Sequence, residues 1–221
     1  MLFLNTTLNG LQFGLCYAIL AIGLYLSYTI LDFADLSVDS IFPLGAIMGT
    51  IAMYNWGFPP ILAVFVSFFF GMAAGSLTGF LHVKCHIDKL LCGIIVMTGL
   101  LSVNLALTMV LSGTGFTGVI FTFGKLNING FFNGEFMNGW TSTQKALFNI
   151  GVLLLFVIAI KILVDLFLKT KTGFMLRATG NNEQMVVSMG KDPGTYKMIG
   201  MALADGLVGI AGCLYAQLMR Q

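Results

Sequence analysis

Along most of this chain, apolar runs long enough to cross a lipid bilayer alternate with short polar breaks. The hydrocarbon core of a membrane requires about 20 predominantly apolar residues of helix, and inside it every backbone N–H and C=O must be satisfied within the protein. Segments 9–31, 58–83, 90–112, 146–168 and 193–218 meet that length. Segment 41–56 is equally apolar but has only about 16 residues, short for a full crossing, with Pro43 near its start and Gly45 and Gly49 inside. It either crosses where its neighbours shorten the path, or enters and returns. Only 9% of the 221 residues are charged and 57% are hydrophobic, whereas a soluble domain carries about 25% charged residues. The chain cannot cover itself with polar surface, so lipid must serve as part of its solvent. The expected fold is a single-domain, all-α membrane protein: a polytopic helix bundle of about six apolar segments, one of them short or broken.

The N-terminal residues carry no Lys or Arg and no small-residue cleavage site, so the first apolar segment is expected to remain in the mature protein. A net charge of +2 provides no basic footprint for nucleic acid. Cys16, Cys85, Cys92 and Cys213 form no C-x-x-C pair, which argues against a disulfide framework. His82, Cys85 and His86 cluster at one segment edge, but a fourth ligand is lacking nearby and no metal site is expected. Gly10, Gly14 and Ala18 recur at spacing four, as do Gly71, Gly75 and Gly79. Such small faces let helices approach closely in lipid.

One insert breaks the apolar pattern. Residues 169–195 read KTKTGFMLRATGNNEQMVVSMGKDPGT. Asn181 is a candidate N-cap, with Gln184 completing a capping box, and Gly190 suits a helix end. The short helix between them has Met185, Val186, Val187 and Met189 on an apolar side. Asp192 followed by Pro193 starts the last helix. Lys169, Lys171, Arg177 and Lys191 place segment 169–192 in the cytoplasm by the positive-inside rule, and Lys84 and Lys89 agree. Segment 113–145 is then external, with Thr141 and Gln144 as a capping box for the next helix. If 41–56 crosses, the N-terminus is outside; if it re-enters, the N-terminus is inside. Lys161 and Asp165, four apart, can pair on one helix face.

Polar groups within or beside the spans are candidates for a solute path. Asp32, Asp35 and Asp39 precede the short segment, Asn104 lies inside a span, and Asp205 is a formal charge deep in an apolar helix. Intramembrane ionisable groups are functional candidates by default, although hydrogen bonding between helices is the plainer role for Asn104 and Asp205. The chain has no G-x-x-x-x-G-K-[ST] phosphate loop, so any ATP-driven work requires a partner.

Three strings in order, ADLSVDSIFPLGA (34–46), KLLCGIIVMTGLLSVNL (89–105) and TGFMLRATGNNEQMVVSMGKDP (172–193), resemble permease subunits of ATP-driven importers of the branched-chain amino acid and ribose type. They are most like the branch described as tryptophan or tyrosine importers. The resemblance implies that Arg177, Ala178, Gly180, Asn181, Asn182, Glu183 and Gly190 belong to a coupling element that docks on a cytoplasmic ATP-binding subunit. It also implies a second permease copy, an external substrate-binding lipoprotein, and multi-pass placement in the bacterial cell membrane. This chain would carry no cofactor, ATP and Mg residing on the ATPase, and it would not itself be an enzyme. Two positions depart from the pattern: Ala106 stands where an Arg is common, and Asp205 where an Asn is common. The family continues with further spans beyond a helix like 193–218, so a shortened bundle is expected, with faces open for missing helices. The competing reading is a stand-alone ion-coupled transporter or channel, with Asp205 and the 41–56 segment forming an ion site. A membrane enzyme would need a stronger catalytic cluster than His82, Cys85 and His86.

Overall fold

A computed structural model describes residues 2–112 and 142–219. Most of the predicted external segment 113–145, Thr141 included, lies outside the described residues. Residues 142–145, read from the sequence as the end of that segment, form the first turn of a helix instead. Among the described residues five helices are long and apolar enough to span a membrane, and a shorter apolar helix joins them.

Helix α1 (Leu2–Leu24) runs directly into a π-helical turn, Tyr25–Ile30. It is followed by α2 (Val38–Tyr54), α3 (Pro60–Cys85), α4 (Lys89–Ser112) and α5 (Ser142–Leu168). Two short helices, α6 (Lys171–Asn181) and α7 (Glu183–Ser188), precede α8 (Pro193–Leu218). The helix starts have local causes. Pro60 and Pro193 occupy first-turn positions, where a missing N–H costs nothing and φ is already helical. His86 stops α3 in the left-handed region at φ 56°.

The pairing of the helices sets their directions. Gln12 of α1 reaches the Ala146 carbonyl at the start of α5, and Leu168 at the end of α5 clusters with Leu26 and Ile30 of the π-helical turn, so α1 runs parallel to α5. Ser27 in that turn reaches Met201 in the first half of α8, and Phe13 and Tyr17 meet Tyr215 near its end, so α1 runs antiparallel to α8. Gly71 of α3 lies against Asp205 of α8, and Gly79 lies against Met198, so α3 is also antiparallel to α8. Lys84, Lys89, Lys169, Lys171, Arg177 and Lys191 gather at the end where α6 and α7 sit, called here the basic end.

The short segment departs from both simple sequence readings. After α1 reaches the basic end, residues 31–37 turn back into the bundle as an irregular, non-helical stretch, and the Leu36 backbone packs against Gly93 of α4. Helix α2 starts at depth. Ser40 donates to the Met97 carbonyl at 2.8 Å, and Asn104 donates to the Ser40 carbonyl at 2.8 Å. It then runs beside α8, Gly45 against Gly209 and Gly49 against Cys213. Its 17 residues cover about 25 Å, and the irregular stretch 31–37 supplies the rest of the crossing. The segment thus reaches the far end as a composite pass, which puts the N-terminus opposite the basic end.

Helix α8 forms the centre, buried along most of its length from Gly200 to Leu218. Small residues let its neighbours reach its backbone. A Cβ on Gly45 would collide with the Gly209 backbone, one on Gly75 would come within 2.6 Å of the Asp205 carboxylate, and one on Gly79 within 3.0 Å of the Met198 Cα. Gly10 and Gly14, by contrast, face open space: a Cβ added at either would have nothing within 4 Å, so their small face meets no helix among the described residues. A Gly45→Val substitution should lower stability in detergent by about 1–3 kcal/mol, the usual range for overpacking. Gly14→Val should leave the thermal midpoint close to that of the parent, and equal shifts for the two would contradict the packing described.

Candidate functional site

The polar insert folds as an elbow of two helices, where the sequence suggested one. Thr170 caps α6, its hydroxyl accepting from the Gly173 N–H at 3.3 Å. Gly173 is required by the tight turn from α5, since a Cβ there would strike the Phe167 carbonyl and Leu168. Leu176 and Thr179 are buried with Gly173 on one face of α6. Leu176 joins Leu31, Phe33 and Met201 in an apolar cluster at the base of the bundle. Gly180 lies directly on the Ile30 carbonyl at the end of α1, and no larger residue fits. Gly173 and Gly180 therefore serve contacts inside this chain.

The cap of α7 lies one residue later than the sequence suggested. Asn181 ends α6, and Asn182 caps α7, its Oδ1 accepting from the N–H groups of Gln184 at 3.0 Å and Met185 at 3.3 Å. Two adjacent asparagines offer the same side chain, and the β-region backbone of Asn182 decides between them. Gly190 ends α7 at φ 71°. Its N–H donates to the Val187 carbonyl at 2.9 Å, and that of Lys191 donates to the Val186 carbonyl at 3.2 Å, the Schellman pattern in which glycine avoids the left-handed penalty. Asp192 then caps α8, accepting from the Gly194 N–H at 3.0 Å and the Thr195 hydroxyl at 2.9 Å.

Only Val186 of α7 turns inward. Phe174 (63% exposed), Met185, Val187 (58%) and Met189 stand out from the elbow, and Arg177 is exposed beside them. Ala178 is half-buried. Glu183, placed by the resemblance in the coupling element, is engaged within the chain by Lys197 of α8.

The five candidate path residues do not converge. Asp32 sits at the basic end with φ 52° and pairs with Lys89 at 3.4 Å, on a carboxylate that is largely solvent-exposed. Asp39 is exposed. Asn104 acts as a clamp between α4 and the start of α2. Asp35 and Asp205 do come together. Asp35 is buried in the irregular stretch, one oxygen accepting from the Ser37 N–H at 2.8 Å, and it acts electrostatically on Asp205. Asp205 is fully buried, and among the described residues no donor outside the Asp35 carboxyl group faces its oxygens. Counting from Pro193, it lies about 18 Å along α8, in space left by Gly75. The sequence marked Asp205 as unusual but could not reveal that Asp35 is its neighbour.

An apolar cavity of about 400 Å³ opens between α3 and α5, lined by residues including Val64, Phe68, Phe156, Ile160 and Leu207. With almost no polar atom in its wall, it offers nothing to orient an ammonium or carboxylate group. All four cysteines are free. Among the described residues, no three His, Cys, Asp or Glu side chains come together as metal ligands. Lys161 and Asp165 lie 3.8 Å apart on the exposed face of α5, a geometry that contributes little to stability.

The family signature described as branched-chain amino acid transport system, permease component, matches residues 6–220. The chain belongs to that family. It is 37% identical over 206 residues to a tyrosine transport system permease protein of Clostridioides difficile (strain R20291), an alignment covering 93% of this chain and 62% of the relative. It is 28% identical over 218 residues to an uncharacterized protein of Rickettsia prowazekii (strain Madrid E), covering 97% of this chain and 69% of that one. The chain thus spans less than two thirds of the length of the tyrosine permease relative. No solved structure gives a significant match. Family and spans together make this a multi-pass protein of the bacterial cell membrane.

Two outcomes follow for the elbow. Asn182→Ala should cost the cap about 1 kcal/mol, seen as faster amide exchange across 183–188 with the spans unchanged. The Thr195 hydroxyl, and after it the Gly194 N–H, hold the Asp192 carboxyl below the ordinary value of 3.8. A depressed carboxyl stabilises the folded form above its unfolded pKa and loses that contribution as pH falls through the folded value. Protection of the first α8 amides, corrected for intrinsic exchange, should fall below about pH 4. In Asp192→Asn that acid step should be absent.

Proposed function

We propose that this chain is the membrane-spanning subunit of an ATP-driven importer. It passes an amino acid, with aromatic ones favoured, from an external substrate-binding lipoprotein to the cytoplasm. A separate cytoplasmic ATP-binding subunit seats on the α6–α7 elbow and carries the ATP and Mg, and a second copy of the permease completes the path.

The observation that carries this reading is the exposed apolar face of the elbow. Phe174, Met185, Val187 and Met189 protrude from the most polar part of the chain, at the end where basic residues gather. Exposed apolar side chains grouped on a polar surface mark a place where another protein docks. By the positive-inside rule that end belongs in the cytoplasm, where ATP is available, and on this reading the N-terminus is outside. The aromatic preference rests on the tyrosine transport relative. Arg177 is the exposed cation at the edge of this face. The glycines and asparagines of the elbow shape it without needing to touch the partner.

Charged replacements on this face test the seat. Met185→Asp combined with Val187→Asp should lower co-purification of the ATP-binding subunit at least tenfold, which corresponds to about 1.4 kcal/mol, and Arg177→Glu should weaken it in the same direction. The thermal midpoint of the permease alone should stay close to the parent's, because these side chains are exposed on the elbow. Undiminished co-purification would remove the elbow as the seat. Uptake by the permease alone, driven by an ion gradient without any ATPase, would replace the whole reading with that of an ion-coupled transporter.

A further inference from the structure

Lys197 is the fifth residue of α8 and is only 7% exposed. A lysine withdrawn from water in this way is costly unless a counter-charge meets it. Its ion-pair partner is Glu183, the first residue of α7. Its Nζ also lies 3.5 Å from Nε2 of His82 on α3. The His82 Nδ1 is 2.9 Å from the Ile87 carbonyl, and a carbonyl only accepts, so Nδ1 carries the hydrogen. Nε2 then presents its lone pair to the ammonium group. The same imidazole stacks edge-on against Phe33 of the irregular stretch, with ring centroids 5.3 Å apart. One buried cation thus ties the elbow helix to the central helix, and reaches α3 and the returning chain through His82.

We infer that the Lys197–Glu183 pair is the strut that carries motion of α7 into α8, with Lys197 as a positioning residue for transport. This rests on the elbow being the ATPase seat. The remaining packing of α7 on the bundle is slight: Val186 is its one buried side chain, and its other apolar groups face outward. Without the pair, a partner could shift α7 while α8 stays in place. With it, displacing α7 alone would take the carboxylate from a buried ammonium group and leave it only the neutral His82 imidazole, so the two helices move together. Asp192, between them, caps α8 and leaves the strut to Glu183.

The test uses the permease co-purified with its ATP-binding subunit, and follows hydrogen exchange before and after trapping with ATP and vanadate. In the parent and in Lys197→Arg, trapping should change exchange both across 183–188 and across 193–201. In Lys197→Met and in Glu183→Gln, the change across 183–188 should persist while that across 193–201 shrinks at least about fivefold. The double variant should lose no more than either single variant, because both remove one link. Glu183 is half-exposed, so its variant keeps the test decisive if Lys197→Met fails to fold. A parent-like response across 193–201 in the folded variants, or no response there in the parent, overturns the strut while leaving the ATPase seat in place. Failure of the parent permease to bring down any ATP-binding subunit overturns both readings.

Discussion

Backbone-to-backbone contact around α8 is the constraint on which the rest of the structure depends. Lipid tails are as apolar as leucine, so the hydrophobic effect gives helices little reason to associate inside a membrane; close van der Waals packing does. Glycines on both partners allow it here. Gly45 of α2 meets Gly209, Gly71 and Gly75 of α3 meet the stretch from Met201 to Gly206, and Gly212 meets the Phe42 carbonyl. Each contact admits one register, because moving a neighbour by a residue would bring a larger side chain against backbone. With α8 enclosed on these sides, α4 and α5 occupy the outside and turn many leucines and isoleucines to lipid.

The same central helix links the two polar regions of the protein. Toward its middle, Asp205 meets Asp35 on the irregular stretch that interrupts the second pass. At its start, Lys197 holds the elbow. Irregular backbone at membrane depth is tolerated where protein covers it, and residues 31–37 lie between α1, α4 and α8 in this way. Two features that look separate along the chain, a broken span and a basic insert, are therefore attached to one rigid element about 12 Å apart along its axis, taking 1.5 Å per residue between positions 197 and 205.

The spans were legible because long apolar runs have few alternatives in lipid. The start of α8 was legible from Asp192-Pro193, whose chemistry is local. The elbow was half legible. Its end at Gly190 could be read, but α6 was missed because its buried face, Gly173, Leu176 and Thr179, carries only one strongly apolar residue. The cap moved from Asn181 to Asn182 because neighbouring identical side chains leave the choice to the backbone. Glu183 looked like a surface charge until Lys197, fourteen positions on, was seen to fold back onto it. The clustered aspartates 32, 35 and 39 looked like a set, yet Asp32 sits in a left-handed turn, Asp35 in an irregular stretch and Asp39 in the first turn of α2, so they face different surroundings.

What could be known from residues alone was the solvent: a chain so poor in charge must fold in lipid, as helices, with the basic insert on one side. Family membership is legible at the same level, since it rests on strings of residues in order. The folded arrangement was needed to show which glycine face met which helix, that the short segment completes its pass with irregular chain, and that Glu183 belongs to Lys197. Hydropathy and capping act over a few neighbouring residues and can be read along the chain. Close packing and ion pairing join residues far apart in sequence, and those partners are set only when helices dock in one register.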